Sequence, residues 1–166
     1  MKDTLFIAGL CILIVGAGAL FYFLDPSQTT HYRDGSVEFR VVANGQYAQE
    51  VKTRTNYRIR NREEFSTLWS LLHGNERPPL PSVDFGEVEV LAVFDGSHST
   101  GGYGIMVTSV TDTELTRVVR ITHQVPGDTC VTSFAQTSPY QLIAVPIKGE
   151  GLRMVHEDST EVVPCP

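Results

Sequence analysis

The run VEVLAVF, Val88–Phe94, is apolar on both of its faces. Val88, Val90, Ala92 and Phe94 share one side of an extended strand, and Leu91 and Val93 fill the other. A strand patterned in this way belongs in the interior of a sheet that is covered on both sides. That requirement constrains everything around it.

The flanking segments supply elements of the right kind. Val37, Phe39 and Val41 alternate with Glu38 and Arg40, the mark of a half-buried strand, and Asn44-Gly45 follows as a turn dipeptide. TNYRIRN, 55–61, predicts a second strand. Asn61 can cap a helix that Glu64 completes as a capping box, with Phe65, Leu68, Trp69 and Leu72 as its apolar stripe and Gly74 as its end. The proline-rich stretch 75–84 is a stiff crossing. Strand-like runs follow at 103–111, 114–124 and 140–147, with a short one at 152–156 and a tight hairpin connection at Thr111–Thr113. The expected class is α+β: a β-rich, mostly antiparallel domain with one early amphipathic helix.

Ahead of this domain lies an uncharged apolar run, Thr4–Leu24, about 31 Å long at the helical rise and so matched to a bilayer core. It predicts a transmembrane anchor at 4–24 that contacts the lipid bilayer, after a short tail at 1–3 and before a polar stalk at 25–35. The domain at 36–166 would then be extracytoplasmic and the protein a single-pass protein of the cell membrane. Cleavage after Ala17-Gly18-Ala19, giving a secreted domain, is the alternative. Cys11 falls inside the anchor. Cys130 and Cys165 remain as the pair able to form a disulfide, or as two unrelated thiols.

The net charge of −6 and the absence of any Lys/Arg cluster argue against a nucleic-acid partner. The stretch DGSHSTGGYG, Asp95–Gly104, is the richest in glycine. Gly96 and Gly101 have the spacing of a phosphate loop, but Gly102-Tyr103 stand where Lys-Ser/Thr would be needed and a strand follows in place of a helix. The five histidines lack metal-ligand spacing. His98 near Asp95, with Ser97 and Ser99, has a superficial hydrolase look, yet a triad needs rigid supports that a loop tip does not offer. Neither a catalytic site nor a cofactor or metal is expected.

Four motifs in order, Leu68-Trp69, Val83–Phe85, LAVFDGSHSTGGYGIMV (91–107) and TSPYQLIAVP (137–146), resemble the carboxy-terminal domain family of the bacterial protease-complex subunit PrcB. The resemblance covers about Tyr57 to Pro146. It implies a small exported, non-catalytic accessory or binding module whose partner is another envelope or surface protein, a protease in the namesake's case. The contact residues expected on this basis are Thr100, Gly101, Gly102 and Tyr103 in the glycine loop, with Thr137, Ser138, Pro139 and Tyr140 as a second contact. Ser99–Tyr103 is also similar to the loop that chagasin-type protease inhibitors insert into a protease cleft, and such inhibition is the alternative function.

Overall fold

The computed structural model describes residues 35–76, 78–149 and 151–164. Among them are eight strands and one helix: β1 (Ser36–Val37), β2 (Arg40–Gly45), β3 (Thr55–Ile59), α1 (Arg62–His73), β4 (Val88–Phe94), β5 (Gly104–Asp112), β6 (Thr116–Pro126), β7 (Tyr140–Pro146) and β8 (Arg153–Val163). The strands form two four-stranded sheets, ordered β1-β5-β6-β8 and β2-β7-β4-β3. All pairings are antiparallel except β6–β8, which is parallel.

β4 takes the central position that its pattern demands. Val90, Ala92 and Phe94 pack with Phe65, Leu68, Trp69 and Leu72 of α1, so one face of β4 lies under the helix. Leu91 and Val93 pack with Val107, Val119 and Ile121 of the other sheet. The chain thus stacks helix on sheet on sheet, with apolar cores on both sides of the middle layer.

α1 forms as its sequence predicts. The Asn61 side chain accepts from the Glu64 N–H at 2.8 Å, and the Glu64 carboxylate accepts from the Arg60 N–H at 2.9 Å. The Gly74 N–H bonds the Ser70 carbonyl and closes the last turn. Trp69 is core, and its indole N–H finds the Pro78 carbonyl at 2.9 Å.

Three local expectations change. Asn44-Gly45 is no hairpin turn: both residues lie in β2, opposite Gln141 and Tyr140 of β7. Glycine is needed there because a Cβ on residue 45 would stand 2.7 Å from the Tyr140 ring. The β5–β6 hairpin turns two residues later than Thr111–Thr113, over 113–116, where the Thr113 N–H bonds the Thr116 carbonyl at 2.8 Å. The last strand is longer than 152–156, because its partner is the whole length of β6.

A larger correction concerns the membrane. The tail at 1–3, the expected transmembrane helix at 4–24 and all but Gly35 of the stalk lie outside the described residues. Among the described residues no helix is long and apolar enough to cross a membrane. α1 has 12 residues, and its apolar stripe is spent on the middle sheet and not on lipid. The α+β class with a membrane helix is therefore replaced by a β-rich, two-sheet fold with one packed helix, and the single-pass membrane location is set aside.

Candidate functional site

Period-two alternation along β4 carries past its last residue. Glu89, Leu91, Val93 and Asp95 all face the β5/β6 sheet, so a carboxylate sits at each end of an apolar pair. Arg117, Val119, Ile121 and His123 alternate along β6 in the same way. The two series meet: Arg117 Nη1 donates to Glu89 Oε1 at 2.8 Å, and His123 Nδ1 lies 2.6 Å from Asp95 Oδ1.

At the Asp95 end the loop that held the hydrolase-like residues is built around a buried carboxylate. Asp95 is 5% exposed. Its Oδ2 accepts from His98 Nε2 at 2.7 Å, and its Oδ1 accepts from both His123 and Arg54 Nη2, the latter at 2.8 Å. The Tyr103 ring lies flat on the His98 imidazole, with centroids 3.8 Å apart and planes 6° from parallel. His123 Nε2 is buried and 3.4 Å from Asp158 Oδ1 of β8. Among the described residues no hydroxyl bonds to either imidazole, and the Ser97 hydroxyl is itself buried without a partner. The cluster holds loop to sheet. It does not align a nucleophile with a base.

The glycine loop is fastened along its length. The Asp95 N–H bonds the Pro139 carbonyl, and Ser97 bonds the Lys52 carbonyl. His98 and Thr137 exchange both backbone bonds, at 2.8 and 3.0 Å, while Gly101 donates to the Ser133 carbonyl at 3.0 Å. Thr100, expected as a contact residue, offers its carbonyl to the Thr137 hydroxyl at 2.9 Å. Gly101 is buried, Thr100 and Tyr103 are half-buried, and Gly102 is the exposed member of the four. Gly102 has φ +92° and its Cβ would meet Pro126 at 3.0 Å, so the position requires glycine twice over.

Thr137, Ser138, Pro139 and Tyr140 are all buried. The Ser138 hydroxyl donates to the Val51 carbonyl at 2.8 Å, and burial raises the Tyr140 phenol above its ordinary pKa of 10.0. This segment is a seam between the glycine loop and residues 46–52. The side chains that reach outward stand just before it: Val131 and Phe134 are 102% and 97% exposed. They belong to the loop whose Ser133 carbonyl holds Gly101. Sequence reasoning passed over them, although two apolar residues inside TCVTSFAQTS were a signal.

The opposite end is also built of residues that sequence reasoning missed. Arg117 is fully buried, grips both oxygens of Asp112 at 2.7 and 2.8 Å, and reaches the Pro146 carbonyl at 3.0 Å. Arg58 Nε donates to the second oxygen of Glu89 at 2.7 Å. A β-bulge between Val107 and Ser109 makes this possible: it shifts the alternation of β5 so that Val110 and Asp112 turn inward. The Val107 N–H beside the bulge is bound by Gln141 Oε1 at 2.7 Å.

Cys130 Sγ is 4.0 Å from the Val163 carbonyl at the end of β8, and Cys165 lies outside the described residues. No curated protein and no solved structure is matched by the chain. Residues 90–146, which run from β4 through the glycine loop, β5, β6 and the buried seam to the end of β7, match the model of the family described as PrcB C-terminal.

Proposed function

We propose that this chain is a non-catalytic accessory module of a protease complex, and that it docks through the face made by Gly102 and the loop at 130–136. The observation that carries the reading is the near-complete exposure of Val131 and Phe134 on a loop tied to the glycine loop by the Gly101–Ser133 hydrogen bond and anchored just beyond it by Thr137. A large aromatic side chain in water is a candidate interface anchor, and one on a fastened loop loses little freedom on binding. The match to the PrcB C-terminal family supports the choice of a protease-associated partner. The cleft-inserting alternative draws less support, since three of its five loop residues, Thr100, Gly101 and Tyr103, are covered wholly or in part.

A bond between Cys130 and Cys165 belongs to the same reading. Only Pro164 separates Cys165 from Val163, whose carbonyl already approaches Cys130. The bond would tie the docking loop to the end of β8 and limit its motion.

A photo-crosslinking residue placed at position 134 in the native cell tests the proposal. The expected adduct is with a protease or a subunit bound to one, and Phe134→Ser should weaken that association at least tenfold while leaving the melting temperature unchanged. Adducts with no protease-associated protein, or an association indifferent to Phe134→Ser, would overturn it.

A further inference from the structure

A second surface lies away from the glycine loop, where the free edge of β3 faces α1. β3 ends the sheet order β2-β7-β4-β3, so one side of its backbone is unpaired by any described strand. The other edges carry the usual protection. β1 has two residues, β2 is broken by a bulge between Val41 and Ala43, and β8 carries Glu157, Asp158 and Glu161. β3 has none of these devices: its register with β4 is continuous from Thr55 to Ile59, and it holds no proline. Its one charge, Arg58, is turned inward to Glu89.

Along that edge runs a groove of about 590 Å³. Ile59 and Leu68 form part of its lining, and Tyr57 and Leu71, 43% and 40% exposed, stand on its two sides. Glu63 and Glu64, in the first turn of α1, line the same groove. Arg58, the one basic residue among the described residues of the wall, is committed to Glu89, as is the neighbouring Arg60 at 3.7 Å, so the two carboxylates give the lining an excess of negative charge.

We infer that this groove receives an extended peptide segment of a partner protein, added as a further strand on β3. Main-chain bonds to the free edge supply affinity, an apolar side chain fills the space between Tyr57 and Leu71, and a neighbouring Lys or Arg meets Glu63 and Glu64. A strand edge beside a helix suits an extended peptide because alternate side chains point into the groove while the backbone pairs. The site shares no residue with the glycine-loop face, so it stands or falls independently of the function proposed above.

Selection of a phage-displayed random nonapeptide library on the full chain, followed by amide hydrogen exchange with the selected peptide, tests the assignment. Enriched peptides should pair an apolar residue with Lys or Arg and should slow exchange at the amides of 55–59. Thr67→Trp, which fills the groove from the exposed side of α1, should weaken binding at least tenfold with the circular-dichroism melt unchanged. If that variant unfolds, Leu71→Lys serves for the same readout. The inference is overturned by failure to enrich any peptide, by protection of another segment, by binding indifferent to both variants, by a preference for acidic peptides, or by self-association through β3 in sedimentation.

Discussion

Asp95 and His123 stand in the same relation as Glu89 and Arg117: each pair is separated by 28 residues and each joins β4, or the residue just after it, to β6 across the two sheets. Equal offsets mean that the two strands run in the same sense, with the apolar residues Leu91, Val93, Val119 and Ile121 enclosed between two polar clamps. The clamps fix the register of one sheet on the other. An apolar interface between sheets resists separation but not sliding, whereas a buried carboxylate and the donors that reach it are satisfied at one alignment only.

Asp95→Ala should be among the most damaging single changes. It would leave the buried His123 and the half-buried His98 without their shared acceptor, at a cost of about 1–3 kcal/mol for each buried donor left unsatisfied, while the half-exposed Arg54 turns to water. Urea unfolding monitored by Trp69 fluorescence measures it, and a loss below about 1 kcal/mol would show that the cluster is not a clamp.

Arg117→Met should cost a similar amount, since it strands Asp112 and one oxygen of Glu89 in the core. The quadruple replacement Arg58→Met, Glu89→Leu, Asp112→Leu and Arg117→Met should recover most of that loss, because Arg58 shares Glu89 with Arg117 and burying matched apolar groups in place of the whole cluster avoids the desolvation of its charges. Comparison of the single and quadruple variants by chemical denaturation decides this. A quadruple variant no more stable than the single one would mean that the ions add net stability.

His73 sets a pH dependence. Burial lowers its pKa below the ordinary 6.5, its Nε2 is buried without a partner, and its ring lies 4.3 Å from Trp69. The unfolded chain therefore takes up this proton at a higher pH than the native protein does. The contribution to stability is complete above pH 6.5 and is lost as pH falls through the lowered native value. His156 is lowered by burial as well and acts in the same direction. Melting temperatures between about pH 7.5 and 5 should fall with acid, and less steeply in His73→Gln. An unchanged slope would contradict the assignment.

The proposed Cys130–Cys165 bond makes a chemical prediction. Without reductant neither thiol should react with an alkylating reagent, and Cys165→Ser should lower stability by roughly 3–4 kcal/mol for a loop of this length in the chain-entropy model. Peptide mapping by mass spectrometry reads the linkage directly.

Local chemistry made parts of this fold legible from residues alone. Asn61 and Glu64 define the start of α1 because a cap and its reciprocal acceptor lie within one turn of each other. The two apolar faces of β4 require a central position whatever their neighbours are. The glycine loop was also legible as a loop, but not as a fastened one, since its bonds run to Lys52, Ser133 and Thr137, each far along the chain. Its exposed partners, Val131 and Phe134, were lost among polar neighbours that gave no periodic signal.

The sequence by itself determined the helix, the central strand and the alternation that points Glu89 and Asp95 to one side, because these depend on residues within a turn or a pleat of each other. Only the tertiary structure decided what those carboxylates meet. Asp112 faces inward because of a bulge that no local pattern announces, Arg117 and His123 become their partners through the packing of one sheet on another, and β8 joins β6 in parallel across a connection that passes through the other sheet. Pairings of that range are fixed by the joint burial of many side chains. No single segment carries the information.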